Sequence, residues 1–133
     1  MKAYTSALCG SKVQYQYPNT GAPVLKNCSF SFLQGEITCI LGENGAGKTT
    51  LGKLCAGILQ PQQGEILLYG KNLSALRLPE IARSLCYCFQ SPSRQLFADT
   101  VEEELAFALR FHREPEEKIH HTVARLLLSL IHI

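Results

Sequence analysis

The chain has 133 residues, 46% hydrophobic and 18% charged, with a formal net charge of +2. That length allows one small domain or part of a larger one, and that composition excludes a disordered segment. The small charge, with no Lys/Arg cluster, excludes nucleic acid as a partner held by bulk electrostatics. No apolar run reaches the length of a membrane span, and "MKAYTSALCG" lacks the apolar centre of a signal peptide. Six cysteines, without the spacing of a metal site, read as reduced, small apolar side chains placed mostly in strands, so the chain reads as cytosolic.

In chain order, "KVQYQY" (Lys12 to Tyr17) alternates as a half-buried strand does, and "PNTGAP" (Pro18 to Pro23) is a turn by composition. Two strands follow, near Asn27 to Leu33 and Glu36 to Leu41, hinged at Gln34-Gly35. The second is almost continuously apolar, which suits a strand covered on both faces. From Lys48 to Ile58 the positions Leu51, Leu54, Cys55 and Ile58 follow helical spacing, with Gly57 and Pro61 marking the end. "GEILLYG" (Gly64 to Gly70) and "LCYCFQ" (Leu85 to Gln90) read as strands, and "LPEIARSL" between them as a short helix or turn. The character then changes. Thr100 is an N-cap with Glu103 three residues on, and Glu102, Glu103 and Glu104 are explained as charges at a helix start. Val101, Leu105, Ala108 and Leu109 give this helix an apolar face. A second helix from about Pro115 carries Ile119, Val123, Leu126 and Leu127 on one side.

Gly42-Glu43-Asn44-Gly45-Ala46-Gly47-Lys48-Thr49 fits G-x-x-x-x-G-K-[ST] at every fixed position. The glycines let the main chain approach a ligand closely. N–H groups from Asn44 to Thr50, including those of Gly45, Ala46 and Gly47, are expected to converge as an anion nest. The helix beginning at Lys48 adds its positive end. Lys48 is expected to reach the β- and γ-phosphates of a nucleoside triphosphate, and the Thr49 hydroxyl to bind Mg²⁺.

The flanks of this motif resemble the ATP-binding cassette (ABC) family over nearly the whole chain, from "YQYPNTGAP" to "GEILLYG" and beyond. The resemblance implies an α/β fold. It consists of a partial P-loop NTPase (RecA-like) core with an antiparallel β subdomain over residues 1–95, then the start of an α-helical subdomain over 96–128. Tyr17, 25 residues before Gly42, matches the aromatic that stacks on adenine in that family, with Tyr15 as competitor on the same strand face. Gln90, 42 residues after Lys48, resembles the Q-loop glutamine, which offers an oxygen to Mg²⁺ near the attacking water. "QLFADTVEEELAF" looks like the form found in energy-coupling-factor ATPases, which serve cobalt, nickel and vitamin uptake. The resemblance makes Leu96-Phe97 a dock for an integral membrane subunit. The pair could equally anchor the helical subdomain.

The family's signature serine loop, its Asp-Glu strand with the general base, and its switch histidine are not in this sequence. His112, His120, His121 and His132 read as solvated helix residues. The chain is therefore expected to be an amino-terminal piece that binds ATP and Mg²⁺ at most, with no hydrolysis above background. Residues 129–133 lie in "LLSLIHI", which resembles adapter read-through and is given no function. The resemblance implies that the parent clamps ATP against a second ABC subunit, identical or paralogous, as a peripheral protein on the cytoplasmic face of the cell membrane. The ATPase of another transporter class, or a soluble cassette protein without the basic surface it would want, are the alternatives. A GTPase lacks its N-K-x-D here, and a kinase its arginine lid.

Overall fold

The computed structural model describes residues 6–91, 93 and 95–131. Strands β1 (Ser6–Tyr15), β2 (Leu25–Leu33), β3 (Gln63–Leu68) and β4 (Lys71–Asn72) form one antiparallel sheet in the order β2-β1-β3-β4. β1 is central: Cys9 stands opposite Ser31 on one side and Leu67 on the other. It begins earlier than alternation in "KVQYQY" predicts, because both neighbours continue the ladder back to Ser6–Leu8. Alternation sends Val13, Tyr15, Ile66 and Leu68 to the interior.

Helix α1 (Lys48–Cys55) packs there through Leu51, Leu54 and Cys55, the i, i+3, i+4 set legible in the sequence. It is shorter than the expected Lys48–Ile58. The Gly57 and Ile58 N–H groups return to the Leu54 and Lys53 carbonyls at 3.1 and 2.9 Å, a Schellman ending. Leu73 and Ile81, from a 3₁₀ turn (Leu73–Ala75) and helix α2 (Leu78–Ala82), complete this core.

The chain divides between Tyr87 and Cys88 into two compact units. The second has its own small core, Ala106, Ile119 and Val123, between α3 (Val101–Phe111) and α4 (Glu116–Ile131), supported by Leu105, Leu109 and Leu127. Thr100 caps α3, its hydroxyl accepting the Glu103 N–H at 3.1 Å. Val101 and Leu126 are exposed, so the buried faces are narrower than the apolar patterns suggest. Among the described residues no helix is long and apolar enough to cross a membrane.

Two expected strands are absent. Glu36–Leu41 and Leu85–Gln90 are irregular and join no ladder. Ile37 is 97% and Leu41 90% exposed. Both segments have the continuous apolar character of parallel strands, and such strands exist only between hydrogen-bonded neighbours. None of the described segments lies alongside to supply them.

The cysteines also depart from expectation. Cys55 is buried in α1, Cys9 and Cys28 are half-buried in strands, and Cys39, Cys86 and Cys88 are exposed in irregular segments. Burial, with a smaller push from Cys28, raises the Cys55 thiol from 9.0 to about 12. A raised folded pKa favours the fold while the unfolded thiol is still protonated. Stability is therefore lost as pH climbs from 9 toward 12, at up to about 1.4 kcal/mol per pH unit. Urea unfolding at pH 8 and pH 10 should show a smaller pH loss for Cys55→Ala than for the parent. Equal losses would remove Cys55 as the source.

Candidate nucleotide-binding site

Gly47 sits at φ 90° as the N-cap of α1, and Gly45 at φ 86°. Ala46 between them keeps a negative φ, so left- and right-handed residues alternate as a nest requires. At Gly47 only glycine fits. Besides the strained φ, a Cβ would lie 3.0 Å from the Leu25 side chain and 3.1 Å from that of Val24. The loop thus rests on the start of β2.

The first intrahelical bond of α1 runs from the Leu51 N–H to the Gly47 carbonyl at 2.8 Å. The N–H groups of Lys48, Thr49 and Thr50 precede it and are the orphan donors of the helix start. No side chain caps this end, and no acidic residue stands in its first turn. Its positive dipole end is therefore left for a ligand. The Lys48 ammonium donates to the Gly42 and Glu43 carbonyls, both at 2.7 Å, and so curls the loop around itself. The Ala46 N–H donates to the Glu43 carbonyl at 3.2 Å and here closes the turn. Asn44 and Thr49 are exposed at the rim.

Tyr17 and Tyr15 meet edge-to-face, ring centres 5.0 Å apart. Tyr15 is buried in the core, whereas Tyr17 is half-buried and its hydroxyl lies 3.2 Å from that of Thr50. Of the two rings, Tyr17 is the more accessible, and it lies beside the first turn of α1. The Thr50 side chain is buried, with its hydroxyl engaged by that of Tyr17. This hydroxyl pair had no signal in the sequence.

Gln90 is exposed at the beginning of the second unit. Downstream, Leu96 and Phe97 are 64% and 62% exposed. The Phe97 ring meets Phe107 of α3 edge-on, centres 4.6 Å apart. Glu104 does more than charge a helix start. Its carboxylate accepts the Phe97 and Ala98 N–H groups at 3.1 and 2.9 Å. The sequence shows three adjacent glutamates and no reason to separate them.

These residues fit a triphosphate and its metal ion. The nest and uncapped helix start suit phosphate oxygens, and the Thr49 hydroxyl beside them is a hard donor of the kind Mg²⁺ takes; the Gln90 amide, also a hard donor, belongs to the second unit.

A family model described as ABC transporter matches residues 25–132. The energy-coupling factor transporter ATP-binding protein EcfA1 of Enterococcus faecalis is 37% identical over 121 residues, covering 87% of this chain and 43% of that protein. EcfA1 of Mycoplasma pneumoniae is 39% identical over 97 residues, covering 73% of this chain and 35% of that protein. Among solved structures, cbiO1 of Clostridium perfringens, part of the ABC transporter complex cbiONQ, aligns with a TM-score of 0.78 and 33% identity. That alignment takes in 92% of this chain and 49% of cbiO1, so the chain spans less than half the length of each of these relatives. A match over most of the chain, ending in the helices that follow the phosphate loop, places it by sequence as well as by shape: the chain belongs to the ABC transporter family, alongside ATPases of the energy-coupling-factor type.

Proposed function

We propose that the full-length protein is the ATP-binding subunit of an energy-coupling-factor importer, coupling ATP binding and hydrolysis to uptake of cobalt, nickel or a vitamin. The observation that carries this reading is the Lys48 ammonium held inside a glycine nest at an uncapped helix start. The names of the relatives support the transporter class.

In this reading the ammonium exchanges the Gly42 and Glu43 carbonyls for β- and γ-phosphate oxygens. The N–H groups of Asn44, Gly45, Gly47, Lys48, Thr49 and Thr50 take the remaining phosphate contacts, joined by that of Ala46 once its turn opens. The accessible face of Tyr17 covers the adenine. The Thr49 hydroxyl and Gln90 hold Mg²⁺, which supplies charge neutralisation on the phosphates when bound. A second ATPase subunit, identical or paralogous, closes over the nucleotide and brings the signature serine. The general base and switch histidine belong to parts of the protein outside these residues. Leu96-Phe97 docks on the membrane subunit, which places the protein on the cytoplasmic face of the membrane.

Proteoliposomes holding the full-length protein and its membrane subunits should accumulate the substrate only when ATP is supplied. In the same preparation Tyr17→Ala should weaken ATP by about 10-fold, the order of one lost base stack, and leave inorganic tripolyphosphate unaffected. Uptake independent of ATP would overturn the importer reading. Equal weakening of both ligands would remove Tyr17 from the adenine site.

A further inference from the structure

The segment after Gln90 is fastened at two points by side chains that the nucleotide site does not use. At its start the Gln95 side-chain oxygen accepts the Phe89 N–H at 3.0 Å. At its end one carboxylate oxygen of Glu104 accepts the Phe97 and Ala98 N–H groups together. Glu104 and Phe107 are three residues apart on α3, hence on one face. That face receives the Phe97 backbone through the carboxylate and the Phe97 ring through the edge-on contact.

Burial alone does not hold this segment, since Leu96 and Phe97 remain largely in solvent. Hydrogen bonds to a carboxylate are about twice as strong as neutral ones. Glu104 also differs from its two neighbours. Glu102 and Glu103 are exposed, whereas Glu104 is half-buried under the turn it binds.

We propose that Glu104 is a positioning residue that pins the Phe97–Ala98 backbone to α3, so that the apolar pair Leu96-Phe97 is held outward for the membrane subunit. This rests on the proposed docking of that subunit at Leu96-Phe97.

The test uses the full-length protein assembled with its membrane subunits in detergent. It follows amide hydrogen exchange across residues 89–98, ATP affinity, and retention on immobilised membrane subunit. Glu104→Ala should speed exchange at Phe97 and Ala98 by about 10-fold or more, the loss of two charge-assisted bonds. It should weaken retention while leaving ATP affinity within about 2-fold, because no nucleotide contact is touched. Glu104→Gln, which keeps an acceptor oxygen, should recover part of both losses, and Glu102→Ala should match the parent. Unchanged exchange in Glu104→Ala overturns the clip. Faster exchange with undiminished retention overturns the positioning role, provided that Leu96→Ala/Phe97→Ala releases the protein. If that double variant stays bound, the docking reading falls, and the clip stands or falls on exchange alone.

Discussion

Lys48→Ala is expected to weaken ATP·Mg²⁺ binding by the full-length protein by about 100- to 1,000-fold, the order of two hydrogen bonds from a charged donor. The structure makes the argument specific. The ammonium is already satisfied by two carbonyls at 2.7 Å, so on the proposed reading nucleotide binding is an exchange of acceptors. The gain is the difference between neutral carbonyls and anionic phosphate oxygens, which is smaller than the bare charge suggests. Removing the side chain forfeits that difference and also releases the loop from its curled form. Lys48→Met, which keeps most of the stem, should fall nearly as far as alanine. Titration calorimetry reads the affinity and circular dichroism the fold. Binding within about 3-fold of the parent would mean that the nest alone grips the triphosphate, contrary to the strength of charge-assisted bonds.

Leu54→Ala should act in the opposite way, on the fold and not on the ligand. Leu54 is 1% exposed and lies where α1 meets the sheet. A small pocket lined by Leu54, Gly57, Ile66, Leu73 and Ile81 already adjoins it. Truncation would enlarge that space, because the helix cannot move inward while its N-terminus is fixed at Gly47 against Leu25 and Val24. A loss of about 2–5 kcal/mol in unfolding free energy is the measured range for such buried deletions. Urea denaturation should show a lower midpoint with an unchanged slope. The remaining folded molecules should bind ATP with the parental constant. A midpoint shift under about 0.5 kcal/mol would place Leu54 outside the core, as for an ordinary surface change.

What could be read from the sequence follows the range of the interactions involved. The phosphate loop was legible because its spacing encodes backbone angles that few residues adopt, and the structure has a left-handed Gly47 where the motif fixes glycine, with a second left-handed glycine, Gly45, at a position the motif leaves open. The second half of β1 was legible because alternation reports a half-buried face, β2 and β3 were legible as strand-like runs beside turn residues, and each pairs with another strand in the described chain. Glu36–Leu41 and Leu85–Gln90 were misread for a physical reason. A continuous apolar run reports that both faces seek cover, and says nothing about whether neighbouring strands are at hand. At the candidate site, Lys48 and Thr49 were singled out from the motif's residue types and spacing, and Tyr17 from the family resemblance. The hydroxyl pair Tyr17–Thr50 and the clip from Glu104 depend on contacts across 33 and 6–7 residues respectively, which no local pattern carries.

The wet stretch Ile37–Leu41 bears on the order in which such a polypeptide matures. The hairpin of β1 and β2 closes from pieces near one another in the chain, a local contact that forms quickly, whereas β3 joins β1 from about 60 residues away. The run leading into the phosphate loop stays uncovered meanwhile, with the β-propensity and apolar character that chaperones bind and that aggregates recruit. A chain in this form carries a sticky seam beside its phosphate loop.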